Sequence, residues 1–206
     1  MKILKGIYFG LVSKYINNNH LIEKLWFEIE SNYSNKKRYY HNLNHLNSLL
    51  NELKKAEDKI KDWETILFSL FYHDIIYSAT KKNNEEKSAE LAKKRMLELS
   101  IPNEKIELCK AQILATKFHT KSVNSDTNYF TDADLSILGQ SWESYSNYYQ
   151  NVRKEYSIYP NIIYKRGRKK ALKHFLAMNR IFKTDFFFNK YESQAKKNLI
   201  MELDLL

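Results

Sequence analysis

His73 and Asp74 stand side by side at the end of Trp63-Glu-Thr-Ile66-Leu67-Phe-Ser-Leu70-Phe71-Tyr-His73-Asp74, a stretch whose apolar residues recur at helical intervals. The doublet continues that stripe, so the spacing predicts an imidazole and a carboxylate directed inward on one helix over 62–77. An ionised carboxylate in a core is costly unless it meets a cation, hydrogen-bond donors or a metal ion. His41 and His45 precede the doublet at helical i, i+4 spacing and share a face. His45 borders the apolar row Leu46, Leu49, Leu50 and Leu53, which favours it over His41 as a direct ligand. His119, Asp132 and Asp134 follow. Together these residues offer a ligand set for one divalent metal ion. A mixture of imidazole and carboxylate suits Mn, Fe, Co, Ni or Zn, with Mg admitted through water and phosphate.

Each residue also has a purely structural role open to it. Thr131-Asp-Ala-Asp134 matches a capping box, with Asp132 a first-turn acid. His119 fits a helix end, and the doublet fits an interior pair satisfied by backbone or by a lysine. The metal reading gains its weight from the joint presence of all of them in one chain.

The elements that must position these groups are helical. Four glycines and two prolines in 206 residues leave few hairpin turns. Helices are expected over 2–16, 20–32, 41–56, 62–77, 85–99, 103–118, 132–138, 142–157, 161–182 and 190–203, with loops near 78–85 and 119–131 and no strand. Asp62 is a cap for the doublet helix, Pro102 suits a first turn, and Gly139 suits a stop. The lone Cys109 forms no internal disulfide or thiolate cluster and is expected to be buried. No apolar run reaches the roughly 18 residues that span a bilayer, and the brief apolar N-terminus has no clear cleavage site. The expectation is a cytoplasmic protein without a membrane partner, folded as a single domain over 1–206. The net charge of +10 is spread among glutamates and asparagines, as in Lys81-Lys-Asn-Asn-Glu-Glu-Lys87. That reads as solvated faces rather than a nucleic-acid track.

His45, the adjacent His73-Asp74 and Asp134 in Asp132-Ala-Asp134-Leu resemble the His…His-Asp…Asp signature of the HD superfamily of metal-dependent phosphohydrolases. Tyr40-His-Asn-Leu-Asn-His45, Phe71-Tyr-His-Asp-Ile-Ile-Tyr77, Asn84-Glu-Glu-Lys-Ser-Ala89, Arg153-Lys-Glu-Tyr156 and Tyr164-Lys-Arg-Gly-Arg168 are similar to a bacterial branch of predicted HD phosphohydrolases. The resemblance runs from about Arg38 to Glu202. It implies an all-α, HD-domain-like helical bundle with a motif core at about 38–140 and a helical extension at about 141–206. It further implies a metal held by His45, His73, Asp74 and Asp134, with Asp132 or His41 as substitutes, and hydrolysis of phosphate esters, often in nucleotides.

In such a site the metal polarises phosphorus and acidifies the attacking water, which makes Asp74 catalytic as well as ligating. His41 and His119 are candidates to orient water or protonate the leaving oxygen. Lys117 is a candidate to offset charge on phosphate, with Arg38, Arg153 and Arg168 as substrate-binding residues. The expected partner is a small phosphorylated compound, with a nucleotide first among them. Tyr145, Tyr148, Tyr149, Val152, Tyr156 and Tyr159 form a stripe that serves as core, as a homodimer face or as a base-stacking surface. Two other readings remain open: a basic helical nucleic-acid-binding protein, and a catalytically silent HD protein that binds metal and nucleotide.

Overall fold

The computed structural model describes residues 2–206. In chain order the helices are α1 Lys2–Val12, α2 Asn19–Tyr33, α3 Leu43–Lys54, α4 Trp63–Tyr72, α5 Asn84–Glu98, α6 Asn103–Ala115, α7 Ser125–Asp134, α8 Trp142–Glu155, α9 Asn161–Leu176 and α10 Asp185–Leu205. Short 3-10 turns lie at Glu57–Lys59 and Leu135–Gly139. There is no strand among the described residues, so the protein is an all-α bundle. No described helix is long and apolar enough to cross a membrane.

The apolar stripe builds the centre. Every residue of α4 from Thr65 to Tyr72 is buried, and α1, α3, α5, α6 and α7 pack around it. A helix enclosed on all sides needs its polar atoms matched internally. Ser69 Oγ donates to Gln112 Oε1 at 2.6 Å, and Thr65 Oγ1 donates to Asp62 at 2.7 Å. Asp62 also accepts the Thr65 N–H as the N-cap, as its position in the sequence suggests. Cys109 is buried in the same core.

Four expected boundaries move by five residues or more, three of them where side chains satisfy backbone groups. The doublet helix stops at Tyr72 rather than 77. His73 is its C-cap, and Arg38 donates to the carbonyls of Asp74 at 2.6 Å and Ile75 at 2.8 Å. A guanidinium placed on carbonyls at a helix C-terminal end replaces the next turn of the helix. Helix α7 begins at Ser125 rather than 132, because Asn124 caps it through the Thr127 N–H. Thr131 and Asp134 therefore lie in its last turn, where Thr131 Oγ1 donates to the Thr127 carbonyl, and no capping box forms. Helix α9 ends at Leu176 rather than 182. Helix α10 begins at Asp185 rather than 190, since Thr184 caps it and Asp132 accepts from the Lys183 N–H, the Thr184 N–H and Thr184 Oγ1 at 2.7–2.9 Å.

Helix α10 also fixes the turn after Asp134. Asn198 Nδ2 donates to the carbonyls of Leu138 and Gln140, both at 2.8 Å. Gly139 lies so close that a Cβ there would stand 2.5 Å from Tyr191 Cβ and 2.7 Å from its carbonyl oxygen. Gly139→Ala is expected to destabilise the protein by about 3 kcal/mol in urea unfolding, because backbone must move to admit the methyl. Gly6→Ala, on α1 with open space around its Cβ, should instead stabilise by about 0.5–1 kcal/mol. Equal effects of the two substitutions would contradict the close approach of α10.

Candidate metal centre

Three elements meet at the doublet. Helix α3 presents His45 from its buried face, the end of α4 presents His73 and Asp74, and the last residue of α7 is Asp134. His73 Nδ1 lies 3.0 Å from the Leu70 carbonyl oxygen, which can only accept, so Nδ1 carries a proton and Nε2 faces the centre. His45 Nε2 lies 3.1 Å from His73 Nε2, and Asp74 Oδ2 lies 3.2 Å from His73 Nε2 and 3.8 Å from His45 Nε2. These three residues form a group able to hold a metal ion. Asp134 Oδ1 stands 3.3 Å from His45 Nε2 and 3.8 Å from His73 Nε2.

The spacing fits a metal. Donors about 2.1 Å from one ion are about 3.0 Å apart when they subtend a right angle and about 3.4 Å apart at a tetrahedral angle. The three shortest separations, 3.1, 3.2 and 3.3 Å, fall in that range. Without an ion, a proton supplies the positive charge. Burial opposes the His73 cation, but Asp74 beside it and Asp134 beyond push His73 up to about 9. Burial likewise opposes the Asp74 and Asp134 anions. The histidines overcome it, holding Asp74 well below the usual carboxylate range and Asp134 at about 2.

A cleft of about 330 Å³ opens over the group, with His41, Tyr77, Lys117, His119, Arg168 and Phe175 among its walls. A second cavity, of about 470 Å³, shares His45 and Asp134 with the cleft and is lined by amides and hydroxyls such as Asn44, Ser48 and Gln140. His41 Nδ1 lies 2.6 Å from Glu155 Oε2, and its ring stacks on Tyr77 at 4.2 Å. Burial opposes the His41 cation, yet the Glu155 hydrogen bond and Asp74 raise it above the ordinary histidine value. His119 is held in the left-handed region, φ 51°, with Nε2 3.8 Å from Asp134 Oδ2. Burial, aided by Lys183, lowers it to about 4, so it is neutral at physiological pH.

The remaining expected residues divide. Lys117 lines the cleft and is ion-paired with Glu86. Arg168 lines it too, while its guanidinium donates to both carboxylate oxygens of Glu202 at 2.7 and 2.8 Å. Arg38 spends its donors on backbone carbonyls, and Arg153 on the Tyr156 and Tyr159 carbonyls and Asn161. Neither Arg38 nor Arg153 lines the cleft. Asp132 is turned to the start of α10, and Asp134 rather than Asp132 faces His45. The tyrosine stripe splits: Tyr145 is buried and donates to Glu202, while Tyr148 and Tyr156 line the cleft.

Two carboxylates escaped the reading of single positions. Glu155 accepts the N–H groups of Tyr40 and His41, the His41 ring and the Tyr77 hydroxyl. Glu85 lines the cleft, and burial raises its pKa. Both lie in motifs that carried the resemblance, Arg153-Lys-Glu-Tyr156 and Asn84-Glu-Glu-Lys-Ser-Ala89, but nothing in their spacing points to a role. No family model, curated protein or solved structure matches the chain. The site therefore stands on its own geometry.

A metal and a proton compete for His73 Nε2. The protonated ring dominates below about 9, so divalent metal binding at neutral pH should release about one proton. Affinity should rise about tenfold per pH unit toward 9 and level off above it. Titration calorimetry in buffers of different ionisation enthalpy measures the release. Binding without proton release would remove His73 from the ligand set.

Proposed function

We propose that the protein is an HD-type metal-dependent phosphohydrolase, a single 206-residue domain acting on a small phosphorylated compound, with nucleotides the first class to test. The observation that carries this reading is the grouping of His45, His73 and Asp74 at metal-donor spacing, with Asp134 3.3 Å from His45, beneath a cleft with cations in its wall. His45, His73 and Asp74 would hold the ion, with Asp134 as the fourth ligand. When bound, it supplies a Lewis acid and a means of acidifying water near neutral pH.

The residues around it supply the rest. Glu155 fixes the His41 ring through Nδ1 and, against the cost of burial, favours its protonated form, whose Nε2–H can donate to a leaving oxygen. Neutral His119 is free to accept a proton from water or to hydrogen-bond a phosphoryl oxygen. Glu85, whose carboxyl burial makes more basic, is a second proton acceptor in the same cleft. Lys117 places a point charge for phosphate oxygens. Arg168, already paired, contributes less charge than a free arginine would. The amide-rich cavity that shares His45 and Asp134 with the cleft suits the neutral part of the substrate.

Asp74→Asn keeps shape and removes the anionic ligand. It is expected to lower Mn-dependent phosphate release from a panel of nucleotides and sugar phosphates by about 100-fold or more, with bound metal falling in parallel. The metal-free variant should stay folded with a lower melting temperature at neutral pH, because the ion pair of Asp74 with His73 is lost. A variant with full activity and metal content would overturn the assignment, and an unfolded one would make Asp74 structural.

A further inference from the structure

Helix α9 buries one residue, Leu172, along its 16 positions. Its sequence, Asn161-Ile-Ile-Tyr-Lys-Arg-Gly-Arg-Lys-Lys-Ala-Leu-Lys-His-Phe-Leu176, contains no acid. Residues 100° apart around the axis place Ile162, Arg166, Lys169, Lys170 and Lys173 on one arc, opposite Tyr164, Arg168 and Phe175. The inner residue Arg168 is paired with Glu202. Among the described residues Arg166, Lys169, Lys170 and Lys173 form no ion pair, whereas the cations that line the cleft do, Lys117 with Glu86 and Arg168 with Glu202.

Exposed aliphatic residues adjoin this arc. Ile158, Ile162 and Ile163 are 69%, 84% and 55% exposed at the N-terminal end of α9. Beside them runs an apolar groove of about 330 Å³ between α8 and α9, lined by Val152, Tyr156, Tyr159 and Ile163. Gly167 and Ala171 lower its α9 wall, and open space surrounds the Cβ position of Gly167.

We propose that the outer face of α9 docks the protein on an anionic lipid bilayer. Charge complementarity selects an anionic partner, because the arc has no counter-charge of its own. The isoleucines and groove select lipid among anionic partners. A bilayer interface sets phosphates within a few ångströms of methylene chains and so satisfies cations and aliphatics on one face. A nucleic-acid backbone would engage the cations and leave the isoleucines in water. A second copy of this chain would bring the same uncompensated cations together. The lack of an apolar span bears on crossing a bilayer, not on lying against one.

The test is co-sedimentation of the full chain with phosphatidylcholine vesicles, with and without phosphatidylglycerol, and it needs neither metal nor substrate. Binding should require phosphatidylglycerol. Each cation near an anionic surface is worth about fivefold in partitioning, so Arg166→Glu with Lys170→Glu should lower it by at least about tenfold. Ile162→Ser with Ile163→Ser, which leaves net charge unchanged, should also lower it severalfold. Lys36→Glu with Lys37→Glu, an exposed pair outside the helices, removes equal charge elsewhere and should have far less effect. All substitutions are on exposed positions, and unchanged melting curves confirm folding. Equal losses for the two charge reversals would reduce binding to net charge and overturn the proposal. So would isoleucine variants that bind like the parent, or a duplex oligonucleotide that binds more tightly than the vesicles and is indifferent to Ile162→Ser.

Discussion

Two imidazole nitrogens 3.1 Å apart, flanked by two carboxylates, cannot be buried unless the charges are shared. Two neutral acceptors at that distance repel, and two ionised carboxylates near them are costly without a cation. A proton on His73 meets the requirement in the apo protein, and His45, His73 and Asp74 form a group able to meet it with a metal ion instead. Much of the surrounding structure can be understood as holding these groups in place against that demand. Arg38 stops α4 in time to turn Asp74 toward the imidazoles, and the Leu70 carbonyl fixes the His73 tautomer. The turn following Asp134 is clamped by Asn198 and by Tyr191 packed on Gly139.

The C-terminal helices thus take part in the site without contributing a ligand. Asp132 ties the end of α7 to the start of α10, so its neighbour Asp134 is held from both sides. Glu155 links α8 to the segment before α3 and fixes His41, its hydrogen bonds joining residues more than a hundred positions apart. Glu202 draws Arg168 and Tyr145 together, which closes one wall of the cleft. The division into a motif core and an extension therefore describes where the motifs lie in the sequence more than how the site is supported.

What was legible in the sequence follows from how local the cause is. The stripe of α4 and the all-helical class are properties of short-range periodicity, and both appear in the structure. The inward direction of His45 follows from the same periodicity along α3. The end of α4 was not legible, because the donor that ends it, Arg38, comes from 36 residues upstream of Asp74. The start of α7 was missed although Asn124 is a good cap, since the polar run after it hides the helix and Thr131-Asp-Ala-Asp134 offers a competing start. Arg38 and Arg153 matched phosphate chemistry by residue type alone. Their carbonyl partners depend on where the chain returns, which no local pattern encodes.

The basic character of the chain separates in the same way. At the cleft, Lys117 is held by Glu86 and Arg168 by Glu202, so their positive charge is local, positioned and largely balanced. The excess that makes the net charge +10 lies on surfaces, and the acid-free arc of α9 is a concentrated part of it. A paired cation in a cleft orients a substrate group at short range, whereas unpaired exposed cations act over a Debye length and fade with salt. Net charge is therefore a poor guide to the chemistry of this centre. The surface excess acts on whatever approaches from outside, while the buried centre depends on the few groups whose charges have nowhere else to go.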